Sequence, residues 1–264
     1  MRLEFFGYFA TLFVGLLLGL LGGGGSILSI PILVYLFHVD AVLASAYSLF
    51  IVGTTSLVGA IPKYRDQLVN LKTGFLFGIP SILAIFVTRR WIVPAIPDIV
   101  FQNESFILSK RLLLLGIFAI LMILASVPMI RGRKDIRNLT GGLRIPLTIV
   151  EGLLIGFLTG LVGAGGGFLI IPALVFLTRL RMKTATGTSL FIIATNSLIG
   201  FAGDLLTRKM DWPFLLMVTA IAIVGVYFGN ILSKLVSNHT LRKGFGWFTL
   251  GMGCYILLRE LIFG

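Results

Sequence analysis

Charge is scarce in this chain of 264 residues: Asp, Glu, Lys and Arg together make up 12% of it, about half the share of an ordinary soluble domain. Acids are scarcer still, at 10 against 22 bases, and there are two histidines and one cysteine. With Cys254 alone, no intrachain disulfide can form and a cysteine-based metal cluster has no second ligand. Nucleophile–base pairs, metal-ligand clusters and nucleotide loops are missing from the motifs. The run GGGGS at 22–26 lacks the Lys that a phosphate-binding P-loop requires. These absences make an enzyme the weakest functional class, with no metal or cofactor called for.

What fills the chain instead is hydrocarbon. Hydrophobic residues make up 57% and the mean hydropathy is +1.04. Eight apolar runs approach or reach the length of a membrane span: Phe5–Leu21, Ala41–Ile61, Leu71–Val87, Leu112–Ile130, Leu147–Val162, Ala185–Ala202, Trp212–Leu232 and Phe245–Leu258. They are continuous rather than alternating, which excludes a β-barrel. The expected fold is an all-α polytopic membrane protein. The net charge of +12 sits almost wholly in short connectors, such as Lys63, Arg65 and Lys72, or Arg131, Arg133, Lys134 and Arg137. In this setting it reads as an orientation signal and as contact with membrane lipid headgroups, with no nucleic acid as partner.

The chain repeats itself. Sliding it by 141 residues lays Gly15–Gly59 over Gly156–Gly200 without a gap, with 22 identities in 45 positions. Because Phe5–Leu21 lies in a segment with a counterpart in the second half, it reads as structure and not as a cleaved signal peptide. The expected organisation is a first transmembrane repeat over 1–130, a basic linker over 131–145 and a second repeat over 146–264. Each half carries a glycine-broken helix hairpin, giving about eight long spans and two short half-helices. Duplicated breaks of this kind point to a secondary transporter and to its substrate site. If the chain turns back at the glycines, each half crosses the membrane an odd number of times and the repeats are inverted. That arrangement puts 14 of the 22 Lys and Arg residues on one side, and the expectation is inverted repeats with the linker cytoplasmic.

Irregular backbone at membrane depth is tolerated only where protein packs around it or a polar cavity adjoins it. A glycine-rich turn leading into a helix places N–H groups, unobstructed by side chains, at the positive end of a macrodipole, which favours an anion. The expected anion-binding residues at the two tips are Gly23, Gly24, Gly25 and Ser26, with Gly165, Gly166 and Gly167. Close helix packing is the competing reading, and it suits Gly15, Gly19, Gly156 and Gly160, spaced by four. The helices that follow add Ser48, Thr54 and Thr55 from the first half, and Ser189, Thr195 and Asn196 from the second. Their hydroxyls and amides can donate to an oxyanion, or else bond back to their own helices. Glu151, about five residues inside its span, is a candidate proton carrier, so protons are a candidate coupling ion. Its repeat partner is Ala10, which keeps it out of the symmetric anion site.

The doubled motifs GLLGGGGSILSIPIL (19–33) and EGLLIGFLTGLVGAGGGFLIIPALV (151–175), with ATGTSLFIIATNSLIG (185–200) behind the second, resemble the TauE/SafE family of sulfite and organosulfonate exporters. The resemblance runs over essentially the whole chain. It implies a multi-pass protein of the bacterial inner membrane that moves sulfite, sulfonates such as sulfoacetate, or related small anions. One departure matters: GGGGS in the first tip faces GAGGG in the second, so Ser26 stands opposite Gly167 and the tips need not contact substrate equally. The alternative is an anion-selective channel, or a membrane assembly factor on a transporter-like fold. A missing charged pore lining disfavours the channel. Which anion is moved, in which direction, with which coupling ion and in which oligomeric state is left open by the sequence.

Overall fold

A computed structural model gives the structure and describes residues 2–23, 25–92, 95–97, 99–103, 106–131, 145–162, 167–176, 180–205 and 209–263. Gly24, Gly165, Gly166 and linker residues 132–144 lie outside them. Among the described residues are ten α-helices. The first half holds α1 (Arg2–Leu21), α2 (Ser26–Tyr35), α3 (Ala41–Arg65), α4 (Leu71–Val87) and α5 (Lys110–Arg131). The second holds α6 (Ile145–Val162), α7 (Gly167–Phe176), α8 (Met182–Leu205), α9 (Trp212–Leu235) and α10 (Asn238–Phe263). A π-helical turn at Thr88–Ile92 extends α4. Two short strands, β1 (Ile99–Asn103) and β2 (Phe106–Ser109), pair antiparallel before α5. That hairpin is a small addition to the helical fold; IVFQN and FILS are rich in β-branched and aromatic residues, which suit a pleated strand.

All eight expected apolar runs lie within helices. Over the described residues, four helices are long and apolar enough to cross a membrane: Leu43–Arg65, Leu71–Ile92, Met182–Ala202 and Trp212–Leu235. Phe6–Leu21, Ala119–Arg131 and Ile145–Leu161 are shorter apolar helices. The short α2 and α7 have ten residues each, about 15 Å at 1.5 Å per residue, or roughly half of a ~30 Å hydrocarbon core. Outward faces are apolar: α4 exposes Phe75, Ile79, Leu83 and Phe86, and α9 exposes Leu216, Val224 and Phe228. Such surface belongs in lipid. The protein is an all-α, multi-pass membrane protein.

Small residues set how the helices meet. A Cβ on Gly15 would lie 2.0 Å from the Ala222 carbonyl oxygen, and one on Gly19 2.3 Å from that of Val226. Residue numbers rise together, so α1 and α9 run parallel. In the same way Gly152 faces the Phe77 carbonyl and Gly156 that of Ser81, so α6 runs parallel to α4. The first helix of each half thus packs on the fourth helix of the other. Equivalent helices meet with opposite direction. Gly53 lies against Leu198 and Gly59 against Leu190, which makes α3 and α8 antiparallel. Gly246 beside Met129 and Gly253 beside Met122 do the same for α5 and α10.

Matching polar contacts tie the halves together. Asn70 caps α4 by accepting the Thr73 N–H at 3.0 Å, and Asp211, its counterpart at the 141-residue offset, caps α9 by accepting that of Phe214 at 3.2 Å. The Asn70 N–H donates to the Thr188 hydroxyl at 2.9 Å, and the Asp211 N–H to the Tyr47 hydroxyl at 2.8 Å. Tyr47 and Thr188 are themselves equivalents. Each cap is therefore held by the opposite half.

Candidate functional site

At the glycines the chain turns back. Gly25 packs beside Val14 and Leu18, and the Phe37 ring covers Gly7 and meets Tyr8 at 5.0 Å between centroids. So α2 retraces α1 toward its starting end, as a re-entrant hairpin does. The turn is made by Gly22 and Gly23, at φ +75° and +153°, a region that side chains rarely permit. The Gly22 N–H closes α1 on the Leu18 carbonyl at 2.8 Å.

The first tip meets the start of α7. A Cβ on Gly23 would lie 2.8 Å from the Gly167 carbonyl oxygen; one on Gly167 would lie 3.0 Å from the Gly23 oxygen and 3.1 Å from Ser26 Oγ. Both would strike Ile193 Cδ1, at 2.7 and 2.6 Å. Gly167 is the first residue of α7, so the second half-helix starts against the first tip. Part of the tip's donor capacity is used locally. The Ser26 N–H and hydroxyl both donate to the Gly23 carbonyl, at 3.2 and 2.7 Å, and the Leu28 N–H donates to Gly25 at 3.1 Å.

The expected polar side chains divide into two sets. Thr55 donates to its own helix at Ile51 and Val52, at 2.5 and 3.2 Å. Thr195 does so at Phe191 and Ile192, at 3.2 and 2.9 Å. Both follow the back-bonding alternative. Ser189 instead clips α8 to the first tip, donating to the Gly22 carbonyl at 2.6 Å as well as to that of Thr186 at 2.8 Å. Asn196 Nδ2 donates to Ser81 Oγ at 3.2 Å, while its buried Oδ1 has no partner among the described residues. Ser48 is buried and Thr54 half-buried.

Further polar residues gain definition from the structure. Ser56 and Ser197 are buried, and neither hydroxyl has a partner among the described residues. They are equivalents in the repeat, and they sit on the antiparallel α3–α8 pair near Gly53 and Leu198. A buried hydroxyl left unpaired costs about 1–3 kcal/mol. Their identity across the repeat was the available signal. Glu151 is 4% exposed, and both carboxylate oxygens lack a partner among the described residues. It lies on the α6–α4 contact, next to Gly152, which faces Phe77. Lys63 corrects the sequence reading. It is not in a lipid-facing connector; α3 runs through Pro62 to Arg65, and its end is closed by Asp66 N–H and Leu68 N–H donating to the Pro62 and Lys63 carbonyls. Gln67, at φ +57°, supplies the left-handed residue that ends the helix. Lys63 is consequently buried.

Comparison with known proteins fits this architecture. The family model described as Sulfite exporter TauE/SafE matches residues 8–256. A protein of Xylella fastidiosa described as a probable membrane transporter protein is 30% identical over 94% of this chain and 92% of its own. The Bacillus subtilis probable membrane transporter protein YunE is 27% identical over 88% of each chain. A Haemophilus influenzae protein of the same description is 26% identical over 93% of this chain and 94% of its own. No solved structure matches the chain.

Proposed function

The chain belongs to the TauE/SafE sulfite exporter family, and from that premise we propose that it is a secondary transporter for small sulfur-containing oxyanions, built as inverted repeats over 1–130 and 146–264. That it is a membrane transporter of the cell membrane, and not an enzyme, follows at family level. The finer reading rests on one observation: the glycine tip of the first half, at Gly23, meets the start of the short helix of the second half, at Gly167, beside the antiparallel pair α3–α8. Antiparallel packing of equivalent helices is the relation expected of inverted repeats.

The chemistry follows from the parts. Helix N-termini supply N–H donors and a positive dipole end without a fixed charge, so an anion can be held and then released. Ser56 and Ser197, with Asn196, supply polar atoms at the α3–α8 crossing. The first tip and the start of α7 press on one another and on Ile193, which suits a closed constriction better than an open pore. Rocking the halves about the shared α3–α8 contact would expose the site to either side in turn. Glu151, buried and without a carboxylate-binding partner among the described residues, is the proposed proton carrier.

Counterflow in proteoliposomes tests the reading, with sulfite, thiosulfate, sulfoacetate, taurine and a matched carboxylate compared side by side. Saturable, exchange-stimulated movement of sulfite or a sulfonate supports it. Movement of the carboxylate alone removes the proposed substrate class. A steady conductance without counterflow makes the protein a channel.

A further inference from the structure

We propose that Lys63 is a second anion site, a loading station beside the first hairpin tip, for a small oxyanion offering at least two acceptor oxygens. As a loading station it rests on the transporter reading above; as an anion site it does not.

A lysine buried to 2% exposure needs a reason, because desolvating an ammonium costs several kcal/mol unless it is paired. The protein partner of Lys63 Nζ among the described residues is Ser233 Oγ on α9. Ser233 donates its own proton to the Asn230 carbonyl at 2.8 Å, so a lone pair is what faces the ammonium. A neutral hydroxyl fills one of three N–H donors and neutralises no charge. The neighbouring acid, Asp66, attracts Lys63 but is shared: its Oδ2 lies 2.7 Å from Lys234 Nζ, and no Asp66 oxygen bonds Lys63 Nζ among the described residues. Lys183 stands in the same cluster, its Nζ donating to the Lys234 carbonyl at 3.4 Å. Lys183 and Lys234 both act on Lys63 as like charges, with Asp66 the one acid acting against them.

Its place in the fold connects it to the tip by two routes. On α8, Gly187 faces Lys63 Cβ and the Leu68 carbonyl, and the preceding residue, Thr186, packs on Gly22. A Cβ on Gly187 would lie 3.1 Å from Lys63 Cβ and 2.4 Å from the Leu68 oxygen, so this glycine gives the lysine stem its room. On α9, Asn230 links the same region to α1 and α3: its N–H lies at Gly19, and its Nδ2 donates to the Gly59 carbonyl at 3.2 Å. The Lys63 stem therefore lies against α8 and its ammonium against α9, at the level of the first tip. The repeat puts Asp204, not a cation, at the equivalent position. The site exists at one end of the molecule only, and anions are gathered from that end.

The test uses purified full-length protein with sulfite as the probe, against chloride at equal ionic strength. Two readouts are taken: sulfite-dependent thermal stabilisation in detergent, and the sulfite dependence of counterflow in liposomes. Lys63→Met should raise the half-saturating sulfite concentration at least tenfold in both, while Lys63→Arg should stay within threefold. Lys72→Met, which removes an exposed cation from the same end, should also stay within threefold. Where Lys63→Met fails to fold, Lys63→Met combined with Ser233→Ala removes the pair together, and the tenfold threshold stands. Unchanged half-saturation in a well-folded variant overturns the proposal, as does a wild type that sulfite does not stabilise. Wild-type protein that sulfite stabilises through Lys63 but that moves no sulfite keeps the anion site and sinks the transporter reading.

Discussion

Adding one methyl group at Gly167 separates a site from a packing contact. Gly167 opens α7 with ordinary helical backbone, so Gly167→Ala incurs no conformational strain and gains up to ~1 kcal/mol of helix propensity. Against this, the new Cβ meets Ile193 Cδ1 at 2.6 Å, the Gly23 oxygen at 3.0 Å and Ser26 Oγ at 3.1 Å. The first is the mobile end of a side chain; the others require shifts of a few tenths of an ångström. Overpacking of that sort costs about 1–3 kcal/mol, so net stability should fall by no more than about 3 kcal/mol. Gly15→Ala is the contrast, since its Cβ would lie 2.0 Å from a backbone oxygen of α9 and the helix pair must part. If the anion is held where the tips meet, Gly167→Ala displaces at least one donor. A lost hydrogen bond to a charged group contributes about 1.5–3 kcal/mol, or roughly ten- to a hundredfold in affinity. The assay is sulfite counterflow and sulfite-dependent stabilisation on monodisperse variants. Gly167→Ala should fold and bind poorly, and Gly15→Ala should fold poorly. A well-folded Gly167→Ala protein with wild-type half-saturation would refute the tip site.

Four further outcomes are expected. Ser56→Ala and Ser197→Ala should leave thermal stability unchanged or raised, because each removes an unpaired buried hydroxyl, yet weaken sulfite affinity; lower stability with unchanged affinity would make them structural. Ser189→Ala removes the clip to the Gly22 carbonyl and should cost about 0.6–1.7 kcal/mol of stability, as buried interhelical hydrogen bonds in membranes do, read by denaturation in mild detergent. Glu151→Gln should abolish pH-driven sulfite accumulation while exchange continues, since exchange needs no net proton movement; an unchanged pH response returns Glu151 to a structural role. In a Cys254→Ser background, cysteines introduced near residues 2, 135 and 262 should label with 135 on the side opposite both termini, and labelling of all three from one side would break the inverted topology.

Much of the fold was written in periodicity and repetition, and the parts that were not share a cause. The eight apolar runs and both glycine breaks are local features, so they are legible without three-dimensional context. The hairpin at Gly22–Gly23 could be foreseen because four adjacent glycines are too costly for a continuous helix. The cross-packing of α1 on α9 and α6 on α4 could not, because small residues at spacing four say that a helix has a close neighbour without saying which. The same limit applied to side chains. Thr55 and Ser189 looked alike as hydroxyls, but one bonds its own helix and the other reaches 167 residues back to Gly22. Lys63 was misplaced for a local reason: the apolar run stops at Ile61, whereas the helix continues through Pro62 to Arg65 and its last turn closes through the Pro62 and Lys63 carbonyls.

Symmetry and its breaking divide the labour in this molecule. A device that alternates between two faces needs two states of equal standing, and duplicated halves supply them. The caps at Asn70 and Asp211 are held by equivalent residues of the opposite half, so a motion permitted to one half is permitted to the other. Gradients set the net direction of any carrier, but with perfect symmetry each face would load and release alike. Sidedness of loading has to come from positions where the halves differ, and the sequence places few charged differences inside the helices. Lys63 is opposite Asp204 and Glu151 is opposite Ala10. In the proposed reading, a cation at one end and a titratable acid in the second half act on different terms: the first would set where the anion collects, the second would tie its movement to a proton. Exchanging Lys63 and Asp204 (Lys63→Asp with Asp204→Lys) should therefore move the end of tighter sulfite loading without abolishing counterflow. Sidedness that survives the swap would have its origin elsewhere in the fold.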